Sequence, residues 1–584
     1  MSNYTFLIVS NSARSRLNKW LGEHSSPTEY FLKRLAWNRT LYIFSKAVES
    51  SVHQRTYVRG TILNADLDTL AFGIDGWESA PSHIRQNPGS HDGEYCVASW
   101  SRSGLNIARD LIGNARLLTT AGAQFAAASD SLLVLASLRR LFGERVSNNE
   151  EVLLARSMLN NLAAQQLSPD TVFREIDFVP SGDGVSISKD FEITRTGPHM
   201  ADRLLSNTVV DARDAIRASA TAVARTILGL ASVANWNSVL SLSGGYDSRV
   251  VFCAARATGA HEKFSYASLN RSPVHARDFE VATQLASAFS MRRDLDGSEG
   301  DDAHVDDRMT LWAATLAGVY DGFGPPRTSR TKERTFAVTG NGAELLKGNW
   351  GWRSFDALVN EFEPSIARDA FAQQVRSGVE QLNGQSSYKY VSELFYIGYR
   401  NGLHSAAGHI GVHMTGVHPL QQFSLARLGH ARTNEGHCGS PSTIADLSIL
   451  LDPEAATFTY DDPGRNIAPN FAEQRLQELG GRIRVDQLEP LTVYGDPDRV
   501  PDGPTRLSME LARALGAFGD FNADHILTIA RTGVAQLPDS LREIYAPMVA
   551  NAEWKISKSG GYVRTAGAST ARVASLITQQ LVSD

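Results

Sequence analysis

The stretch Ser241-Leu-Ser-Gly-Gly-Tyr-Asp-Ser-Arg-Val250 constrains this chain more than any other. The apolar and small residues from Ser238 to Leu242 predict a buried strand. They empty into Ser243-Gly244-Gly245, and a helix is expected to begin at about Ser248. Two glycines let the backbone turn tightly and bring bare N–H groups close to an anion. Ser243 and Ser248 add hydroxyl donors, and the helix N-terminus adds partial positive charge. Together these make a phosphate cradle. It is not a Walker loop, since no Gly-Lys-Ser/Thr follows, and it is not G-x-G-x-x-G. Asp247 is placed to hold Mg²⁺, which binds through one or two carboxylates plus phosphate oxygens. A glycine-rich turn without a ligand is the plainer alternative.

The spacing S-G-G-x-D-S resembles the pyrophosphate loop of the ATP pyrophosphatases, whose members split ATP into AMP and pyrophosphate. With 584 residues there is room for roughly two to four domains around a large core. Hydrophobic and charged fractions of 42% and 21% argue against disorder. A net charge of −6 gives no argument for broad nucleic-acid binding. Cys96, Cys253 and Cys438 are far apart and odd in number, which argues for a reducing compartment and against a disulfide scaffold or a Cys-x-x-Cys site. No stretch reaches the ~18 apolar residues that cross a bilayer, so the expected location is cytoplasmic, with no membrane partner.

From Tyr4 to about Asn207 the pattern is one of short strands separated by turns. His91-Asp-Gly-Glu-Tyr-Cys-Val-Ala-Ser-Trp100, Leu105-Asn-Ile-Ala-Arg-Asp110, Gly113 and Phe125 to Leu135 read as strand, turn, strand, tight Arg-Asp turn, and a strand leading into a helix. These segments resemble the glutamine amidotransferase domain of the asparagine synthetase family, and Gly60 to Asn64 resembles a further strand of it. The resemblance implies an αββα sandwich of the Ntn-hydrolase type over residues 1–207. The family's N-terminal cysteine nucleophile is missing, because the chain begins Met1-Ser2-Asn3. Ser2 beside its own amine is the one substitute in place, and the glycines that follow the cysteine are absent as well. The domain therefore reads as a retained scaffold.

The second domain, residues 208–584, is entered by an Ala-rich helical stretch from Asp211 to Ala231. Beyond the loop, helices are expected over Arg249 to Gly259 and Ala276 to Ser290, with a strand over Lys263 to Leu269. Alternating strands and helices predict an α/β fold with a doubly wound parallel sheet, whose ligands sit at the carboxyl ends of the strands. The resemblance makes this sheet one of the ATP pyrophosphatase type with extra helices. The acidic run Glu299 to Asp307 reads as a solvated face rather than a metal site.

Arg334-Thr-Phe-Ala-Val-Thr-Gly340 is a second strand running into Asn341-Gly-Ala-Glu-Leu-Leu-Lys-Gly348. This stretch resembles the family's S-G-x-G-x-D-E-x-x-G-G. Glu344 then takes the place of the second metal-binding aspartate, with a helix N-terminal carboxylate as the alternative reading. Asn341 falls where asparagine synthetases carry a catalytic Glu and β-lactam synthetases a Tyr, and Leu345 replaces a Glu. Tyr388 to Gly408 is the strongest later helix. Its Glu393 is a candidate base for an incoming amine, against the commoner exposed salt-bridging role. The spacing of His404, His409, His413 and His418 does not favour zinc. Val417 to Gln422 resembles the family's r-x-P-F-L-D without its Asp, and Leu447 to Leu527 reads as loop-rich and part of a lid. In Trp554-Lys-Ile-Ser-Lys-Ser-Gly-Gly-Tyr562, Lys558 resembles the late catalytic lysine of β-lactam synthetase-like enzymes, and a solvated tail lysine is the equal alternative.

The resemblance covers most of the chain and implies ATP and Mg²⁺ as cofactors. Ser243, Gly244, Gly245, Ser248 and Gly340 would hold the phosphates, Asp247 and Glu344 the metal, and Asn341, Glu393 and Lys558 would be the catalytic group. The implied reaction adenylates a carboxylate and passes it to an amine. Without the cysteine the amine belongs to a small-molecule or peptide substrate, as in β-lactam synthetases and lasso-peptide macrolactam cyclases, which leaves room for a partner biosynthetic enzyme. Amidation by free ammonia and a non-catalytic nucleotide-binding scaffold are the alternatives.

Overall fold

In the computed structural model, residues 4–35, 38–102, 104–158, 162–163, 165–205, 211–268, 275–294, 308–320, 332–406, 414–434, 442–499, 503–517, 523–558 and 576–582 are described. The first two hundred residues supply all but one strand of two largely antiparallel sheets. A six-stranded sheet has Tyr4–Ser10 between Phe125–Ser129 and Arg39–Ser45. An eight-stranded sheet is centred on Thr56–Asn64, paired with Asp92–Trp100 and Thr69–Phe72.

Period-two alternation sets the layers. Phe6 and Ile8 of Tyr4–Ser10 face the second sheet and pack with Tyr57, Ala98 and Ile107. Leu7 and Val9 face the other way, onto Leu17 and Leu21 of the helix Asn11–His24 and onto the helix Leu132–Leu141. On the far side of the second sheet, Val58, Ile62, Tyr95 and Val97 pack on Ile74, Trp77 and Ile84, from two short helices. The order of layers is helix, sheet, sheet, helix. The Arg-Asp turn closes because Asp110 accepts the Asn114 and Ala115 N–H groups at 2.8 Å each. The buried Arg109 guanidinium donates to the carbonyls of Asp183, Ala115, Val179 and Pro180.

The third sheet is five-stranded, and every pairing in it is parallel. Its first strand in sequence, Asn237–Ser241, lies in the middle. Ser265–Ala267 and Arg292–Arg293 follow on one side, and Thr335–Val338 and Thr415–Val417 on the other. The winding direction therefore reverses between Asn237–Ser241 and Thr335–Val338, and such a reversal opens a crevice at the carboxyl ends of the two strands. Val250 and Val251 of the helix Tyr246–Ala257, and Leu285 of the helix Ala276–Ala288, pack with Leu240, Phe336 and Val338. The helix expected from Asp211 is Ala212–Ser232, with the Asp211 carboxylate capping the Arg213 and Asp214 amides.

Three expectations differ from the fold. The region read as loop-rich contains the helices Pro453–Ala456, Pro469–Glu478 and Arg506–Ala514 and the strand Thr492–Tyr494. Pro453 and Pro469 stand in first turns, where a missing N–H costs nothing, so they start helices within this segment. The helix expected over Tyr388 to Gly408 is split into Val391–Phe395, a π-helical turn at Tyr396–Arg400, and Asn401–Ala406. The division near residue 207 separates most strands but not the packing. Thr492–Tyr494 joins the amino-terminal sheet beside Thr69–Phe72. Leu135 and Val152 share one core with Trp312, Phe371, Leu511 and Tyr545. The acidic run to Asp307, together with Ser2, His409, His413, Cys438 and the Ser559 to Tyr562 segment, lies outside the described residues.

Candidate functional site

The loop stands at the carboxyl end of Asn237–Ser241, beside the winding reversal. Its two serines lock it from within. The Ser243 N–H donates to Ser248 Oγ at 3.0 Å, the two hydroxyls are hydrogen-bonded at 2.9 Å, and the Gly245 N–H reaches Ser243 Oγ at 3.4 Å. Gly245 is the N-cap of the helix and supplies no side-chain cap, so the first-turn amides have no cap from that residue. The end of Thr335–Val338 presses on the loop. A Cβ on Gly340 would lie 2.5 Å from the Asp247 carbonyl carbon and 2.6 Å from the Ser248 nitrogen, so only glycine fits.

Acidic groups crowd the crevice. The Gly244 N–H donates to Asp278 Oδ1 at 2.6 Å, and the Gly244 carbonyl accepts the Asp461 N–H at 3.1 Å. Burial pushes the Asp278 carboxyl up, opposed by that Gly244 amide and assisted by the neighbouring Asp461. Burial likewise raises Asp247, with Lys347 opposing and Glu344 adding to the rise. Lys347 Nζ donates to both oxygens of Asp247, at 2.7 and 2.6 Å. Glu344 opens the short helix Glu344–Lys347, and its Oε2 accepts the Gly342 N–H at 3.2 Å. Asn341 donates its N–H to Thr339 Oγ1 at 3.2 Å, and Thr339 Oγ1 is hydrogen-bonded to the buried His418 at 2.7 Å.

The crevice thus collects Ser243, Gly244, Gly245, Asp247, Ser248, Gly340 and the backbone leading to Glu344. Glu393 is placed otherwise. Glu393 is 4% exposed, and its carboxylate accepts the N–H groups of Asn349, Trp350 and Trp352 at 2.9, 2.8 and 3.3 Å. Burial raises its carboxyl, and those amides oppose the rise. Both oxygens are occupied, so the geometry gives Glu393 the task of pinning the 349–352 backbone rather than that of a free base. Lys558 is exposed at the end of the helix Asp539–Lys558, which packs on the helices Ala523–Ala535 and Glu150–Arg156.

Several residues at the crevice were not singled out from the sequence. Arg249 is buried in the helix after the loop and donates to the carbonyls of Ala455, Phe458 and Thr459 at 2.9, 3.1 and 2.9 Å, with its guanidinium 4.2 Å over the Tyr460 ring. It fastens the segment that delivers Asp461 to Gly244. Arg465 pairs with Asp461 at 3.0 Å, and its carbonyl accepts from Tyr246 Oη at 2.6 Å. An arginine in the middle of an otherwise apolar helix face was the only signal in the sequence. Asp278 and Lys347 carried none.

Among the described residues there is no cluster of three or more His, Cys, Asp or Glu side chains arranged to hold a metal. A Mg²⁺ ion that keeps phosphate oxygens and waters in its shell needs only one or two carboxylates, and Asp247 and Glu344 are two that this part of the chain offers. Glu344 lies near enough to Asp247 to add to the rise of its carboxyl. Among the described residues no helix is long and apolar enough to cross a membrane. The fold and site define a mixed α/β protein with a serine- and glycine-rich loop at the reversal of a parallel sheet. No protein-family model matches the chain, and no curated protein matches it.

Proposed function

We propose that this chain is an ATP-dependent, AMP- and pyrophosphate-forming amide-bond synthetase. The observation that carries the reading is the placement of the Ser243 to Ser248 loop, with Asp247 and the Glu344 turn, at the reversal of the parallel sheet. The crevice takes the triphosphate of ATP. Ser243, Ser248, the Gly244 and Gly245 amides and the first turn of Tyr246–Ala257 bind the β- and γ-phosphates. A carboxylate oxygen of the substrate attacks the α-phosphorus, the bond to the bridging oxygen breaks, and pyrophosphate leaves. A substrate amine then attacks the acyl carbon of the adenylate, AMP departs, and the amine gives up its proton. Asp247 and Glu344 would hold a Mg²⁺ ion, which when bound would supply positive charge against the departing pyrophosphate. Gly340 keeps the loop in register, and Asp278 orients the Gly244 amide until phosphate takes its place.

Substrates that carry both a carboxylate and an amine, as in peptide or natural-product biosynthesis with lactam closure, fit this two-step chemistry. A nucleotide-binding scaffold without catalysis is the second reading, favoured by the engagement of Asp247 with Lys347 and of Gly244 with Asp278. Mass spectrometry of mixtures of the protein, ATP, Mg²⁺ and candidate substrates, short peptides among them, separates the two. The synthetase yields AMP, pyrophosphate and a product lighter than its parts by one water. Formation of ADP, or binding of ATP without turnover, goes against it.

A further inference from the structure

Lys347 is the cation closest to the loop carboxylate, and its two ends are held very differently. Its backbone is fixed. The Lys347 carbonyl accepts the Trp352 Nε1–H at 3.1 Å, and the next residue, Gly348, has φ 80 and no room for a side chain, since a Cβ would meet Trp352 Nε1 at 2.4 Å. The following turn is pinned by the three amides on Glu393. The ammonium end is not enclosed: Lys347 and Asp247 side chains are 32% and 30% exposed. A lysine so placed carries a mobile charge on a fixed stem, and its four-carbon chain lets the charge change partner without moving the backbone.

Asp247 has two oxygens, and Lys347 occupies both. A divalent ion that bound Asp247 would displace the ammonium, and the phosphate oxygens brought by the nucleotide would offer it a new anion. We infer that Lys347 is a resident counter-ion of the phosphate site, which holds Asp247 in the nucleotide-free chain and contacts a phosphate oxygen of bound ATP. Metal and nucleotide then enter together: the metal alone competes with an ammonium, whereas metal with ATP gives that ammonium another anion. The inference rests on the reading of the loop as an ATP site.

The test uses the full chain and two titrations on wild type, Lys347→Met and Lys347→Arg. Mn²⁺ binding without nucleotide, followed by electron paramagnetic resonance, is expected to tighten about tenfold in Lys347→Met, because a competing cation is gone. Binding of a non-hydrolysable ATP analogue with Mg²⁺, followed by calorimetry, is expected to weaken about tenfold in the same variant, because a charge-assisted contact is lost. Lys347→Arg keeps the charge and is expected to stay within about threefold of wild type on the nucleotide titration. Should Lys347→Met fail to fold, Lys347→Gln makes the same comparison. Opposite shifts in the two titrations support the inference. Unchanged Mn²⁺ affinity, or both affinities moving the same way, overturns it while wild type still binds the nucleotide. A wild type that binds no nucleotide overturns the reading of the loop, and the inference with it.

Discussion

Asp247 and Gly340 show how much of the site turns on single atoms. Asp247 is the only carboxylate within the loop itself, and its neighbours Lys347 and Glu344 pull its titration in opposite directions. Asp247→Ala is expected to abolish AMP formation, and unchanged turnover in that variant would sink the proposed chemistry. Gly340 acts through space rather than charge. Gly340→Ala puts a methyl group inside contact distance of the Asp247 and Ser248 backbone, where no flexible side chain can yield. Overpacking of this kind costs about 1–3 kcal/mol, and here the strain falls on the loop. Urea denaturation should show that loss together with weakened nucleotide binding. A variant as stable as wild type with unaltered binding would mean that the loop tolerates displacement. At this scale the serines, glycines and Asp247 were legible from local chemistry. Lys347, Asp278 and Asp461 were not, because they reach the crevice from three other segments.

At the scale of elements, the split helix from Val391 to Ala406 decides the role of Glu393. Its period was readable in Val391, Leu394, Phe395 and Tyr399, all buried. Which way its acid pointed was not readable, since a carboxylate on a helix is as easily exposed as enclosed. Enclosed here, it satisfies three backbone amides of a turn that has no strand or helix of its own. Glu393→Gln leaves one oxygen where there were two, with an NH₂ group facing an N–H donor. The expected cost is about 1.5–3 kcal/mol, in the range of hydrogen bonds to charged groups, read from chemical denaturation. A base in the coupling step would instead lose rate at unchanged stability, so the two readouts distinguish the roles. The segment around Pro453 and Pro469 teaches the same lesson. Proline marks both helix starts and loops, and here each stands in the first turn of a helix.

Across the whole molecule, buried ionisable groups set an opposing pH balance. Burial pushes Asp110 and Asp130 up to about 7, against their amide and arginine partners. It also lowers His404 to about 4 and His430 to about 3. A folded-state carboxyl that keeps its proton to about pH 7, when the unfolded chain loses it near 4, stabilises at low pH and loses that stability as pH rises through 7. A histidine held neutral works in the other direction, adding stability as pH rises from about 4 to 6.5. The two contributions offset each other below pH 6.5, so the carboxyl effect is best isolated by difference. Asp110→Asn cannot titrate, and its stability relative to wild type is expected to improve between pH 5 and pH 8 by on the order of a few kcal/mol. Denaturation midpoints at the two values check this. A difference that stays constant, or moves against the variant, would contradict it.

What the sequence determined alone is local. Strand periods, the αβ alternation and the run from Ser241 to Val250 follow from steric and hydrophobic rules acting within about ten residues. The strand order of the parallel sheet, the union of amino- and carboxyl-terminal helices in one core, and the surroundings of Glu393 were settled only by tertiary packing. Those features depend on which apolar faces meet and where a polar group finds its partner, and contacts between residues hundreds of positions apart leave no mark in a local window. The loop that organises the site was written in the sequence. The lysine and carboxylates that surround it were brought there by the fold.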